Sequence, residues 1–250
     1  MYKSSRKLEH FACCVVSLAL SACAASVPVH NLDPATRSKI KTIALLNVSE
    51  PGVIASSDAL SYPTLGLVGE GIQEGVNRGH LDAFTATVKE HHTPFAETLR
   101  NAVRDGLEHA GYRVVQVDDF LYLNLKTDAD AILMVSYANV GYKDFVSRFY
   151  DPTVTVWARM VDGQSRQEIY FRYFIAGYKQ DIDGAIYVPL DNFHHYYLFS
   201  TMLNEFDPAV GQLLQGASKI GTALASDVQG AANATPSDAS PARQPSSRRH

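Results

Sequence analysis

The apolar run from Phe11 to Ala22 limits what this chain can be before any other feature does. At about 12 residues it is too short for the roughly 20 that a membrane-crossing helix needs. Lys3, Arg6 and Lys7 precede it, partly offset by Glu9, and the small pair Ser21-Ala22 closes it. A basic start, a short apolar middle and a small-residue end, in that order at the N-terminus, form the pattern of a secretory signal peptide. The three cysteines, Cys13, Cys14 and Cys23, all lie within or directly after this segment.

Leu20-Ser21-Ala22-Cys23 resembles the lipobox of bacterial lipoproteins. The resemblance implies cleavage before Cys23, a diacylated glyceryl group on its thiol and a further acyl chain, typically palmitate, on its amine. Each buried CH₂ contributes about 0.8 kcal/mol, so one chain is a marginal anchor and two or more hold stably. Ala24 rather than Asp follows the cysteine, which in enteric lipoproteins favours the outer membrane over inner-membrane retention. With Cys23 capped by lipid, the mature chain has no disulfide, no cysteine metal site and no cysteine nucleophile.

Loss of residues 1–22 removes three basic side chains and one acidic one from a chain of formal charge −4, leaving −6. A mildly acidic chain without a basic block argues against nucleic acid as a partner. Hydrophobic residues at 46% suffice for one sizeable core. The expected division is signal peptide 1–22, tether 23–39, periplasmic α/β domain 40–229 and tail 230–250. The tether is small or polar, is broken by Pro28 and Pro34, and reaches at most roughly 50 Å from Ala24 to Ser38. The tail is mostly Ala, Ser and Pro, and lacks the large apolar residues that would offset the entropy of ordering.

Within the domain, Lys41–Val48 reads as a central strand buried on both faces. The glycine-rich stretch Gly66–Gly75 has neither a Gly-Lys-Ser/Thr ending nor dinucleotide-fingerprint spacing, and reads as part of a small-residue helix over 65–90. Thr93-Pro94 suggests a cap followed by the first helical position, and Phe95, Leu99, Val103, Leu107 and Ala110 form one stripe ending at Gly111. Strands follow at Arg113–Val117, Ile132–Val140, Thr153–Val161 and Ile169–Ile175, the last three as an antiparallel meander. Residues 181–191 read as loop and Phe193–Phe206 as helix. Asp207-Pro208 then opens a helix whose apolar face is Val210, Leu213, Leu214, Ala217, Ile220, Ala223 and Leu224. The fold class is α/β, an α+β sandwich: a mixed sheet of about five strands with helices packed on it.

Four stretches together resemble a family pattern: the Ile-Ala-Leu-Leu opening strand, the helix ending Ala-Gly-Tyr-Arg-Val, Asp-Ala-Asp-Ala-Ile-Leu, and Tyr-x-Pro-x-Val-x-Val with its Val-Asp-Gly turn. Over Ile40 to Tyr178 the pattern is similar to periplasmic lipoprotein domains of the curli-secretion, penicillin-binding-protein-activator and Tol N-terminal type. The resemblance implies a domain that binds other proteins or itself, with no catalytic residues to carry over.

Adjacent histidines diverge, so neither His91-His92 nor His194-His195 chelates one ion alone, and a metal site needs the pairs to meet. Asp118, Asp119, Asp128 and Asp130 gather carboxylates but lack the glycine and distal glutamate of a calcium loop. No Gly-x-Ser-x-Gly elbow nominates a serine nucleophile. Tyr170, Tyr173, Tyr178, Tyr196, Tyr197 and Phe199 divide between core packing and a partner surface, where aromatics are enriched. The expectation is a non-enzymatic lipoprotein on the periplasmic face of the outer membrane, without cofactor or metal. It would be held by lipid at Cys23 and act through an envelope protein partner or self-association. The alternatives are a periplasmic hydrolase, signalled by His194 or His195 beside a carboxylate in a deep pocket, and a lipid- or ligand-carrying accessory subunit of a transport system. Replacing the anchor thiol in Cys23→Ser is expected to give an uncleaved precursor that takes up no labelled fatty acid; normal labelling of that variant would refute the anchor.

Overall fold

The computed structural model describes residues 29–52, 56–57, 79, 82–120, 122–123, 125–145, 149–178, 182–191 and 193–230. Cys23, the glycine-rich stretch 66–75 and the tail from residue 231 lie outside the described residues. Short parallel strands form one half of the sheet. β1 (Thr42–Leu46) lies between β3 (Arg113–Val117) and the start of β4 (Ala131–Phe145), parallel to both. A long antiparallel meander forms the other half, running from β4 through β5 (Phe149–Asp162) to β6 (Glu168–Gly177). Two small strands complete it: β2 (Ser56–Ser57) extends the β1 side of β4, and β7 (Ile186–Val188) runs parallel to β6. The order is β3-β1-β4-β5-β6-β7 in a seven-stranded sheet. The α/β class and the meander agree with the sequence reading. The strand count exceeds the expected five because β2 and β7 span only two and three residues, too short to show a period.

The helices are α1 (Pro34–Arg37), α2 (82–90), α3 (Phe95–His109), α4 (Phe199–Asn204) and α5 (Phe206–Gln229). α3 buries Phe95, Leu99, Val103 and Leu107 of the expected stripe against one sheet face, while Ala110, its C-cap, is half-buried. α5 adds Val210, Leu213, Ala217, Ile220 and Leu224 to the same core. The two helices meet through glycines. A Cβ on Gly221 would stand 2.6 Å from the Cβ of Ala102 and 2.9 Å from α3 backbone, and one on Gly106 would stand 2.7 Å from the Cβ of Ala225. Backbone therefore touches backbone at this crossing, and no side chain fits between.

Among the described residues, the opposite face carries no helix. Ala44, Leu46, Ile132, Met134 and Val161 form a second, smaller core there, covered by Tyr122 and Leu125 of the loop after β3. Arg166 donates to the carbonyl of Leu125 at 2.6 Å and holds that loop down. This covering explains why β1 is buried on both sides, as its continuous apolar run suggests.

Four local readings need correction. α3 begins at Phe95, and Thr93 does not cap it; the amide of Ala96 donates instead to the carboxylate of Glu50 at 3.2 Å. Burial beside this helix end pushes the Glu50 carboxyl above its usual range. Helix over 193–206 begins only at Phe199, because Tyr196 instead forms a backbone bridge to Tyr150, and it breaks at Glu205 between α4 and α5. α5 starts at Phe206, so Asp207 sits in its first turn rather than at its cap. Finally, part of the expected tether belongs to the fold. His30 exchanges two backbone hydrogen bonds with Phe171 of β6, at 3.0 and 2.9 Å, and Leu32 is buried in the main core. The carboxylate of Asp33 caps α1 through the amide of Thr36, at 2.9 Å.

Gly221→Val places a branched side chain where backbone stands, and is expected to destabilise the domain by about 1–3 kcal/mol. Urea unfolding of the variant beside the parent measures the difference; equal midpoints would contradict the close helix crossing.

Candidate protein-binding rim

The segment 193–198 reaches α4 by way of the start of β5. Tyr150 and Tyr196 exchange backbone hydrogen bonds at 2.7 and 3.2 Å, which fixes the segment against the strand. Tyr196 turns inward, buried edge-to-face on Tyr142 with ring centroids 5.6 Å apart. α5 holds both sides of this contact. The amide nitrogen of Gln212 donates to the Tyr142 hydroxyl at 3.2 Å, and its oxygen accepts the His194 amide at 2.8 Å. The Tyr142 hydroxyl donates in turn to the carbonyl of Ala209 at 2.9 Å, and burial raises its pKa well beyond the usual phenol value.

With Tyr196 facing in, the residues around it are left outside. Tyr197 is 71% exposed and Leu198 61%, far above the rest of the aromatic and aliphatic side chains near them. Tyr197 stands edge-to-face on Phe149 at 4.7 Å. Phe149 and Phe193 flank the ring of His195 at 5.7 and 4.6 Å. The Nδ1 atom of His195 pairs with the Asp151 carboxylate, which is itself largely buried. The result is an exposed aromatic and aliphatic rim whose backbone and inner side chains are pinned by strand pairing, a helix glutamine and the His195–Asp151 hydrogen bond.

The other candidates separate. His91 packs its ring 4.6 Å from Phe206, next to the exposed His92. Among the described residues, no group of three or more histidine, cysteine, aspartate or glutamate side chains gathers. The aspartates take individual tasks. The Asp130 carboxylate accepts the amides of Lys41 and Thr42, both at 2.8 Å, and so starts β1, while that of Asp119 accepts the amide of Phe120. Asp118 and Asp128 are exposed. Tyr170 is buried and donates to Asp227 of α5 at 2.8 Å, with the Arg172 Nε 3.7 Å from the same oxygen. Burial, with the Asp227 charge beside it, pushes the Tyr170 phenol far up. Tyr173 lies on the sheet face opposite α3 and α5, beside Phe171, Tyr178 follows the end of β6 half-buried, and Phe199 is buried against Tyr150.

Sequence alone missed the partners of His195. Asp151 lies 44 positions away, and the Tyr150–Tyr196 bridge sets the two residues side by side.

A scan against protein-family models returned no match, and no curated protein matches the chain. Solved structures do. Protein XCC0632 from Xanthomonas campestris matches over 82% of this chain and 93% of its own, at 11% identity and a TM-score of 0.43. The PelC dodecamer from Paraburkholderia phytofirmans matches over 81% and 94%, at 11% identity and a TM-score of 0.37. Lipoprotein GNA1162 from Neisseria meningitidis matches over 68% and 96%, at 11% identity and a TM-score of 0.26.

Proposed function

We propose that this chain is a lipid-anchored protein of the bacterial outer membrane, facing the periplasm, and that it works by holding another envelope protein or a second copy of itself at the rim of Phe149, Tyr197 and Leu198. The observation that carries this is the exposure of Tyr197 and Leu198 on a segment whose flanks are fixed. Rigid, exposed aromatics give contact area at little entropic cost, which suits them to anchor a partner. The lipobox-like segment ending at Cys23 supplies the place.

The His195–Asp151 pair favours a second reading, a hydrolase in which Asp151 orients the imidazole and His195 acts as the base. Asp151 is the only hydrogen-bond partner of that ring among the described residues, and no serine or threonine hydroxyl is bonded to it. The rim reading needs no such nucleophile.

A photo-crosslinking amino acid at position 197 tests the two readings in cells, with the same group at Glu108, exposed on α3, as control. A discrete adduct at 197, missing at 108 and lost in Leu198→Ser, is the expected result; an adduct of twice the monomer mass identifies self-association. No adduct, or the same adducts at both positions, would overturn the rim as a docking site. His195→Ala removes one of the contacts that pin the rim and is expected to weaken the adduct; an adduct of unchanged yield would mean that the pair does not shape the rim.

A further inference from the structure

The place where the chain enters the fold fixes how the domain can stand on a bilayer. The first described segment does not hang free. Val29 packs on Gly184, since a Cβ added there would meet its Cγ2 at 2.8 Å. His30 is hydrogen-bonded on both sides of Phe171, and its Nδ1 lies 2.8 Å from Glu168. Arg172 donates to the side chain of Asn31 and to the carbonyl of Gly184. All of these contacts lie along one edge of the sheet, the edge of β6 that also carries β7.

Only residues 24–28 separate Cys23 from Val29. Six residue steps reach at most about 22 Å when fully extended. The sheet is wider than that. Six strands across, spaced about 4.8 Å apart, put β3 about 24 Å beyond β7 before side chains are added. With the β3 edge on the lipid, Val29 would stand farther from the bilayer than its leash can stretch. Resting on the reading that Cys23 carries lipid, we infer that the β7 edge, with the turn at Asp183-Gly184 and Tyr187, is held on the bilayer side of the domain, within leash reach of the lipid headgroups, and that the domain does not rest on its β3 edge. The exposed surface there carries both signs of charge, with Asp183 and Asp191 exposed and the ammonium of Lys219 on Asp191 at 2.7 Å. The short leash, rather than a basic patch, therefore sets the orientation.

The mature lipoprotein has no free thiol, so a single cysteine can be introduced and labelled. The test places a donor fluorophore at Asp183→Cys or at Gln116→Cys, both exposed sites, in full-length acylated protein. The protein is reconstituted in vesicles of phosphatidylethanolamine and phosphatidylglycerol carrying a headgroup acceptor. Energy transfer several-fold stronger from 183 than from 116 is expected. Inserting about 20 Gly/Ser residues between Pro28 and Val29 should abolish the difference, because such a linker spans the sheet. Equal transfer from both sites with the native leash, or stronger transfer from 116, would overturn the inference while leaving the anchor intact. Protein that fails to float with the vesicles and whose N-terminal peptide shows no acyl mass would overturn the anchor, and the orientation with it.

Discussion

Two backbone hydrogen bonds between His30 and Phe171 decide where this chain stops being leash and becomes fold. From that point the chain is packed rather than free. Leu32 reaches the main core, Asp33 starts α1, and Arg37 donates to the carbonyl of Leu32 at 3.0 Å. The edge of β6 is a natural place for this closure. β7 covers only Phe174 to Ala176, so the strand's earlier N–H and C=O groups need another partner. The N-terminal segment supplies one at Phe171.

Much of the fold was legible because its elements carry strong periods. The stripe of α3, the alternation of β5 and the apolar run of β1 each match the face they bury. What escaped was decided by distance in sequence. Glu50 caps α3 from a loop 46 residues earlier, so Thr93 looked like the cap when only neighbours could be weighed. The aromatic run from Phe193 to Phe206 has helix-like composition, but the start of β5 at Tyr150 takes its first half for pairing. β7 spans too few residues to show alternation, and Leu32 is a single apolar residue in a stretch that otherwise reads as spacer.

The site was legible in composition and not in arrangement. The tyrosine-rich C-terminal part stood out, but sequence could not tell that Tyr196 is buried while Tyr197 is exposed; one strand bridge makes that division. The rim and the leash lie well apart. His30 joins the sheet opposite Phe171 and Arg159, and the rim joins it at Tyr150, nine residues farther along β5, or about 30 Å. A chain entering at one point and presenting aromatics at another can be held by lipid and touch a partner at once.

The exchange rate of the His30 amide tests the central claim most directly, because that proton is donated to the carbonyl of Phe171. Measured by NMR in the folded protein, it should exchange slowly, with protection approaching that of Phe174 in the middle of β6. Exchange at the rate of an unstructured chain, with Phe174 still protected, would mean that the leash extends past His30 and that the sheet edge does not hold it.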